Sequence, residues 1–376
     1  MKHSRPTPPA LAFLASELAR LEASGRRRDA RPRIPNRERP SFCSNDYLGF
    51  AAEGSGAGAS RLIQGDHPAH RALEVALASW LDFEAGLLFT SGYAANVGLL
   101  SALLGPDDRV VSDRLNHASI IDGIRLSRAE VRVVPHLDLG AVARALEEPG
   151  CVGRTWVVVE SYYSMDADGP DLAALRRLCD EHGAGLLVDE AHAVGVLGPE
   201  GRGRCAEAGI VPEAMVVTLG KSLGGQGAVV LGPTVLREWL WNRARSFVFS
   251  TGIAPMVAEA ALVNLNRIRK EPTLPGQVLA RAAELRRGLL GEGARPLGFG
   301  PIVPLLVGDE GRALDLAAAM QAAGVEVQAV RPPTVPPGTA RLRMTVTARH
   351  SATDVAGAVA AYGAALEKLG WRRSSS

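Results

Sequence analysis

The chain has 376 residues, 47% of them hydrophobic, and 42 Lys and Arg against 40 Asp and Glu leave a formal net charge of +2. That length can bury a large core and points to two domains, while the near-balanced charge gives no electrostatic case for nucleic acid or a membrane surface. The four cysteines, Cys43, Cys151, Cys179 and Cys205, form no Cys-x-x-Cys pair, which fits a reduced cytoplasmic protein with neither a disulfide framework nor a metal site. The start, Met1-Lys2-His3-Ser4-Arg5-Pro6, shows no apolar leader, and no segment is apolar for long enough to span a membrane. The run Arg26-Arg27-Arg28 has no interleaved aromatics and reads as a solvated face.

Leu11, Leu14, Leu18 and Leu21 recur at helical spacing and predict an amphipathic helix over 10–24. The basic, Pro-containing stretch to Pro40 reads as a connector, and Ser44-Asn45-Asp46-Tyr47-Leu48-Gly49 as a loop. Gly54-x-Gly56-x-x-Ala59 superficially suggests a dinucleotide site, but no strand precedes it. A helix is expected over 67–82, a strand at Gly86–Phe89, and a helix opened by Ser91-Gly92 and carrying Val97, Leu99, Leu100 and Leu103. Strands at Arg109–Ser112 and Val131–Val134 flank a helix near 118–127. Trp156–Val159 reads as a buried strand. Asp171 caps a helix bearing Leu172, Leu175 and Leu178, which Gly183 stops. Apolar strands then end at Asp189 and near Lys221, and another covers Ala228–Leu231. Seven apolar strands alternating with helices mean an α/β domain with a mostly parallel sheet covered on both faces. Beyond about 255 come Ala-rich helices (255–270, 276–291), strands at Ile302–Val307 and Arg341–Val346, and a last helix over 353–369. The expected organisation is a helix and connector over 1–40, a large α/β domain over 41–265, and a smaller α+β domain over 266–376.

Two runs carry the chemistry. Gly185-Leu186-Leu187-Val188-Asp189-Glu190-Ala191-His192 is an apolar strand ending in Asp. Val216-Val217-Thr218-Leu219-Gly220-Lys221 is another, ending in Thr-x-Gly-Lys. A pyridoxal phosphate (PLP) enzyme needs this pair: a lysine to form a Schiff base with the aldehyde, an aspartate to hold the pyridine nitrogen protonated, and a hydroxyl, Thr218, for phosphate. The plain alternative is a strand ending in a solvated Asp-Glu pair.

Other segments have their own plain alternatives. Ser91-Gly92-Tyr93-Ala94-Ala95-Asn96 opens a helix, where orphan N–H groups and the dipole suit phosphate, though Ser91 could be an ordinary cap. His117 could stack on a flat cofactor or simply be a satisfied polar residue. Ser164 and Glu160 follow or end a strand and could face the same cleft as Asp189, but the Ser-Asp-Gly-Pro cluster also marks a turn. Arg341 and Arg343 share one strand face, where an arginine could bind a carboxylate bidentately or lie in solvent.

In order, SNDYLG (44–49), SRLIQG with His70 and Leu73-Glu74 (60–74), SGYAAN (91–96), LNHAS (115–119), SMDAD (164–168), DEAH (189–192), TLGKSLGG (218–225) and FSTG (249–252) resemble the α-oxoamine synthase family of fold-type I PLP enzymes, from about Arg26 to the last helix. The resemblance implies a fold-type I transferase working as a homodimer with shared sites. Lys221 and Asp189 would serve as above, and His117 would stack on the ring. Ser164 and His192 would contact the cofactor. Gly92, Tyr93 and Thr218 would bind the phosphate side, and Ser250 and Thr251 would reach the partner subunit's phosphate. Arg343 would take the amino acid carboxylate, and Arg26 and Thr334 would lie on the acyl path. Asn45 and Glu160 would sit on the substrate side.

The run from Val330 to Arg343 most resembles the branch that condenses L-alanine with a pimeloyl thioester of CoA or acyl carrier protein. The alternatives are a glycine-using ligase of the same family and a non-catalytic partner subunit. The chain departs from the family in the short 49–60 stretch, in Ala193, and in Ser161, the last two standing where Gly is usual.

Overall fold

The structure, a computed structural model, describes residues 6–28 and 55–371. The chain forms two compact units, Met1–Ser161 with Pro170–Lys270, and Tyr162–Gly169 with Glu271–Ser376.

The first unit runs α1 (Phe13–Ala23), α2 (Pro68–Trp80), β1 (Ala85–Phe89), α3 (Gly92–Leu103), β2 (Arg109–Asp113), α4 (Ala118–Ser127), β3 (Glu130–Val134), α5 (Leu139–Glu147), β4 (Thr155–Glu160), α6 (Leu172–Glu181), β5 (Gly185–Asp189), α7 (Gly203–Glu207), β6 (Ala214–Thr218), β7 (Ala228–Gly232), α8 (Thr234–Arg243), α9 (Arg245–Val248) and α10 (Pro255–Lys270). The seven strands form one sheet in the order β1-β7-β6-β5-β4-β2-β3. Only β7 runs against its neighbours, so the carboxyl ends of the other six lie along one sheet edge, where ligands bind in open α/β folds. The mostly parallel seven-stranded sheet read from the sequence is present. The apolar runs divide between two cores. Leu88, Val157, Leu186 and Val217 pack on one face of the sheet. Leu87, Trp156, Leu187 and Val216 pack on the other, as strict alternation along a strand requires.

Ser60 to Glu74 owes its character to a buried guanidinium. Arg61 pairs with Asp66 at 2.6 Å and Glu74 at 2.5 Å and donates to Leu88 O. Burial alone would lower its pKa, and the two carboxylates more than offset that. The network fixes the loop before α2 against β1. That loop in turn holds the 250–252 stretch, through Gly252 N on Ala59 O at 3.1 Å and a Ser60–Thr251 bridge.

The second unit comprises α11 (Leu274–Gly291), β8 (Ile302–Gly308), α12 (Glu310–Ala322), β9 (Gln328–Val330), β10 (Ala340–Thr345) and α13 (Ala352–Lys368). Its strands form an antiparallel sheet in the order β8-β10-β9. Among the described residues, no helix is long and apolar enough to cross a membrane, and no cluster of His, Cys, Asp or Glu could hold a metal ion.

Candidate active site

Asp189 closes β5 and is 7% exposed. Its Oδ1 accepts from Ala191 N at 2.8 Å and its Oδ2 from Asn96 Nδ2 at 2.7 Å. Glu190 is fully buried and accepts from Ser161 Oγ at 2.8 Å, Cys205 N at 2.6 Å and Arg204 N at 3.1 Å. The pair is therefore not a solvated strand end. Ser161, one of the departures from the family pattern, spends its hydroxyl on Glu190 and supplies one of the bonds that a buried carboxylate needs.

The turn after β5 packs against the turn that carries Lys221. Gly195 has φ +95°, and a Cβ there would meet Ser222 Cβ at 2.3 Å. Only glycine fits on both counts. Lys221 is exposed, three residues past the end of β6. Its turn is closed by Gly224 N on Lys221 O and Gly225 N on Leu219 O, and Asn264 Nδ2 donates to Leu223 O.

A helix start faces the same strand end. Ser91 caps α3 by accepting from Ala94 N at 3.0 Å. A Cβ on Gly92 would meet Thr218 Oγ1 at 3.7 Å, so the first turn of α3 lies against that hydroxyl. Thr218 Oγ1 accepts from Gly220 N and donates to Gly227 O, both at 3.3 Å. The capping reading of Ser91 and the anion reading of Gly92 are thus compatible, since a cap satisfies only part of a helix start. Tyr93 is 48% exposed and its hydroxyl donates to Asp122.

His117 is the N-cap of α4. Its backbone N–H donates to Glu160 Oε1 at 2.7 Å. Its Nδ1 lies 2.7 Å from Ser119 Oγ, and Ser119 N donates to it at 3.2 Å. Ser119 Oγ also accepts from Asn96 Nδ2 at 3.0 Å. Asn96 and Ser119 were legible only as letters in two motifs. Their bearing depends on how α3 packs on α4, which no local pattern encodes.

Glu160 and Asp189 are register partners on β4 and β5. Burial, then the Asp189 carboxylate, push the Glu160 pKa up to about 8, against the pull of the His117 N–H and the Lys221 ammonium. An acid whose folded pKa is raised binds its proton more tightly in the native state. Its contribution to stability is therefore full below about pH 4.5 and is lost as pH rises toward 8. Glu160→Gln keeps an acceptor for His117 N and removes the titration. In thermal melts of the cofactor-free protein, the variant should gain on the parent as pH goes from 6 to 9. A constant Tm difference across that range would contradict the assignment.

The other predicted residues are placed as follows. His192 is half-buried in the turn after β5, Ser250 is half-buried, and Thr251 is exposed. Arg26 is exposed just past α1, with its N–H on Leu21 O. Asn45 lies outside the described residues. In the second unit, Arg341 and Arg343 do share one face, and both grip the 162–169 segment. Arg341 is 3% exposed, bonds Met165 O at 2.9 Å and pairs with Asp166 at 2.6 Å, so it does not lie in solvent. Arg343 donates through Nε to Ser164 O at 2.8 Å and through Nη1 to Thr345 Oγ1 at 3.2 Å. Burial lowers its pKa, and no carboxylate among the described residues pairs with it. Ser164 is half-buried, and Thr334 is exposed with its N–H on Arg331 O.

The first unit therefore gathers a lysine, a buried carboxylate, a flat imidazole, a strand-end hydroxyl and a helix start at one sheet edge. This donor set fits PLP. The sequence matches the class I and II aminotransferase profile over residues 41–361. The chain belongs to the class I and II aminotransferase family. Within that family it is 45% identical to the 8-amino-7-oxononanoate synthase of Anaeromyxobacter dehalogenans, over 96% of this chain and 97% of the relative. Among solved structures it resembles the serine palmitoyltransferase of S. paucimobilis with bound PLP-myriocin aldimine, with a TM-score of 0.81, 26% identity, and coverage of 97% of this chain and 100% of that one. It also resembles the 8-amino-7-oxononanoate synthase of Francisella tularensis, with a TM-score of 0.70, 25% identity, and coverage of 81% and 89%. The fold-type I reading made from the motifs agrees with these aminotransferase-family neighbours.

Proposed function

We propose that the chain catalyses the PLP-dependent, decarboxylative condensation of L-alanine with a pimeloyl thioester, giving 8-amino-7-oxononanoate, carbon dioxide and the free thiol, a step of biotin synthesis. The observation that carries this reading is the 45% identity, over nearly the full length, to a relative bearing that activity's name, and the lysine, buried carboxylate, imidazole and strand-end hydroxyl gathered at one sheet edge support it.

When bound, PLP supplies an aldehyde for covalent attachment and a ring that withdraws electrons from the amino acid's Cα. The chain's own groups do the rest. Lys221 would be the covalent anchor and the base that takes the Cα proton and later returns it. Asp189, fixed by Asn96 and Ala191 N, keeps a negative charge against the pyridine nitrogen. The first turn of α3 and Thr218 would receive the phosphate, His117 would stack on the ring, and Ser164 and His192 would make further cofactor contacts. Arg343 would take the alanine carboxylate, and its lack of a carboxylate partner among the described residues supports this. Arg26 and Thr334 would lie on the acyl path, and Asn45 and Glu160 on the substrate side. The protein acts as a homodimer, with Ser250 and Thr251 serving the partner subunit's phosphate.

Arg343→Ala should raise KM for alanine by roughly 10- to 100-fold, the loss of a charge-assisted bidentate contact of about 1.5–3 kcal/mol, and leave the cofactor's visible spectrum unchanged. A spectrum that changes while KM does not would remove Arg343 from that role. The reading as a whole is tested by kcat/KM with alanine or glycine against pimeloyl-CoA or acetyl-CoA. Alanine with pimeloyl-CoA should lead, although one methyl group is worth only about 1–3 kcal/mol, so some glycine use is expected. Glycine with acetyl-CoA far ahead would move the chain to the glycine-using branch.

A further inference from the structure

The hydrogen bonds between Asp189 and His117 have a direction that proton accounting fixes. Asp189 is a carboxylate already accepting from Ala191 N, so the Asn96 amide atom 2.7 Å from its Oδ2 must be the nitrogen. The second N–H of that nitrogen points to Ser119 Oγ at 3.0 Å. Ser119 is fully buried, and a buried hydroxyl needs an acceptor for its own proton. Among the described residues the acceptor within reach is His117 Nδ1, at 2.7 Å. The Ser119 backbone N–H is aimed at the same ring nitrogen, at 3.2 Å. Two donors converge on Nδ1, so that atom carries the lone pair.

We propose that Asn96 and Ser119 are positioning residues that couple Asp189 to His117 and hold the imidazole in the neutral tautomer protonated at Nε2. The order is Asn96 N–H to Asp189, Asn96 N–H to Ser119 Oγ, and Ser119 O–H to His117 Nδ1. The consequence is chemical. With Nδ1 occupied, the ring's remaining nitrogen is a hydrogen-bond donor, so His117 orients an acceptor and does not serve as a base. Proton removal is thereby left to Lys221. The reading of His117 as a cofactor-side residue gives the relay its importance, but the tautomer is a property of the ring and can be measured without turnover.

The test is nitrogen-15 NMR of the cofactor-loaded protein labelled at histidine, with the His117 signals assigned by their loss in His117→Asn. At pH 8 the expected pattern is an unprotonated Nδ1 and a protonated Nε2. A protonated Nδ1, or an even mixture of tautomers, would overturn the proposal. In Ser119→Ala the hydroxyl donor is gone and Asn96 loses an acceptor, so a share of Nδ1-protonated ring should appear, while Ser119→Thr should restore the parent pattern. If the pure Nε2-protonated signal persists in a folded Ser119→Ala protein, the backbone N–H alone sets the ring and the relay is wrong. If Ser119→Ala fails to fold, the parent spectrum alone still decides the tautomer, and Ser119→Gly, which also removes the hydroxyl donor, replaces it with the same two outcomes.

Discussion

Lys221→Ala should lower kcat/KM by at least about 10⁴-fold, because it removes both a covalent anchor and a proton-transfer group, and positioned proton transfer alone contributes roughly 10²–10⁴-fold. Borohydride treatment of the parent should fix the cofactor irreversibly, with the added mass on the peptide containing Lys221. The variant should retain nothing covalently. There is also an electrostatic consequence. The Lys221 ammonium is one of the influences that holds the Glu160 pKa down, so Glu160 should titrate at higher pH in the alanine variant. Fixation on a different lysine, or a variant with ordinary turnover, would show that the Thr218-x-Gly-Lys221 turn is not the anchor.

Asp189→Asn should keep the fold and the cofactor yet lose about 100-fold or more in kcat. A group that stabilises charge developing in the transition state is typically worth roughly 3 kcal/mol or more, and an amide does not hold the pyridine nitrogen protonated. The geometry gives the loss a second signature. Asp189 is the like charge that helps to raise Glu160, so the Glu160 pKa should fall in this variant, opposite to its rise in Lys221→Ala. Opposite shifts from two substitutions would place Glu160 electrically between the two groups. Near-parent kcat, or shifts of the same sign, would count against Asp189 as the ring's partner.

The strands that build the sheet could be read in advance because β1, β4, β5, β6 and β7 are nearly continuous apolar runs, as a sheet covered on both faces demands. α8 was passed over because Leu236, Trp239 and Leu240 keep helical spacing but Trp241 and Asn242 are buried as well and blur the stripe. α5 was also passed over, although Leu139, Val142 and Leu146 keep helical spacing behind the Asp138 cap, as were α12, opened by the Asp309 cap, and β9, which is only three residues long. At the site, Lys221, Asp189 and Thr218 were legible because a strand end fixes where its last residues project. Glu160 was visible as a strand end, but its raised pKa was not, since it arises from the register pairing with Asp189. Asn96, Ser119 and the Glu190–Ser161 bond are products of packing between elements distant in sequence, and hydrophobic period carries no record of them.

The family as a whole includes transaminases, and one measurement separates that chemistry from condensation. The protein is incubated with pimeloyl-CoA and L-alanine labelled with carbon-13 at the carboxyl carbon, and gas, thiol and soluble products are followed by mass spectrometry. The account predicts labelled carbon dioxide and free CoA in equal amounts, with an 8-amino-7-oxononanoate product that has lost the label. Labelled pyruvate without release of thiol or carbon dioxide would contradict it.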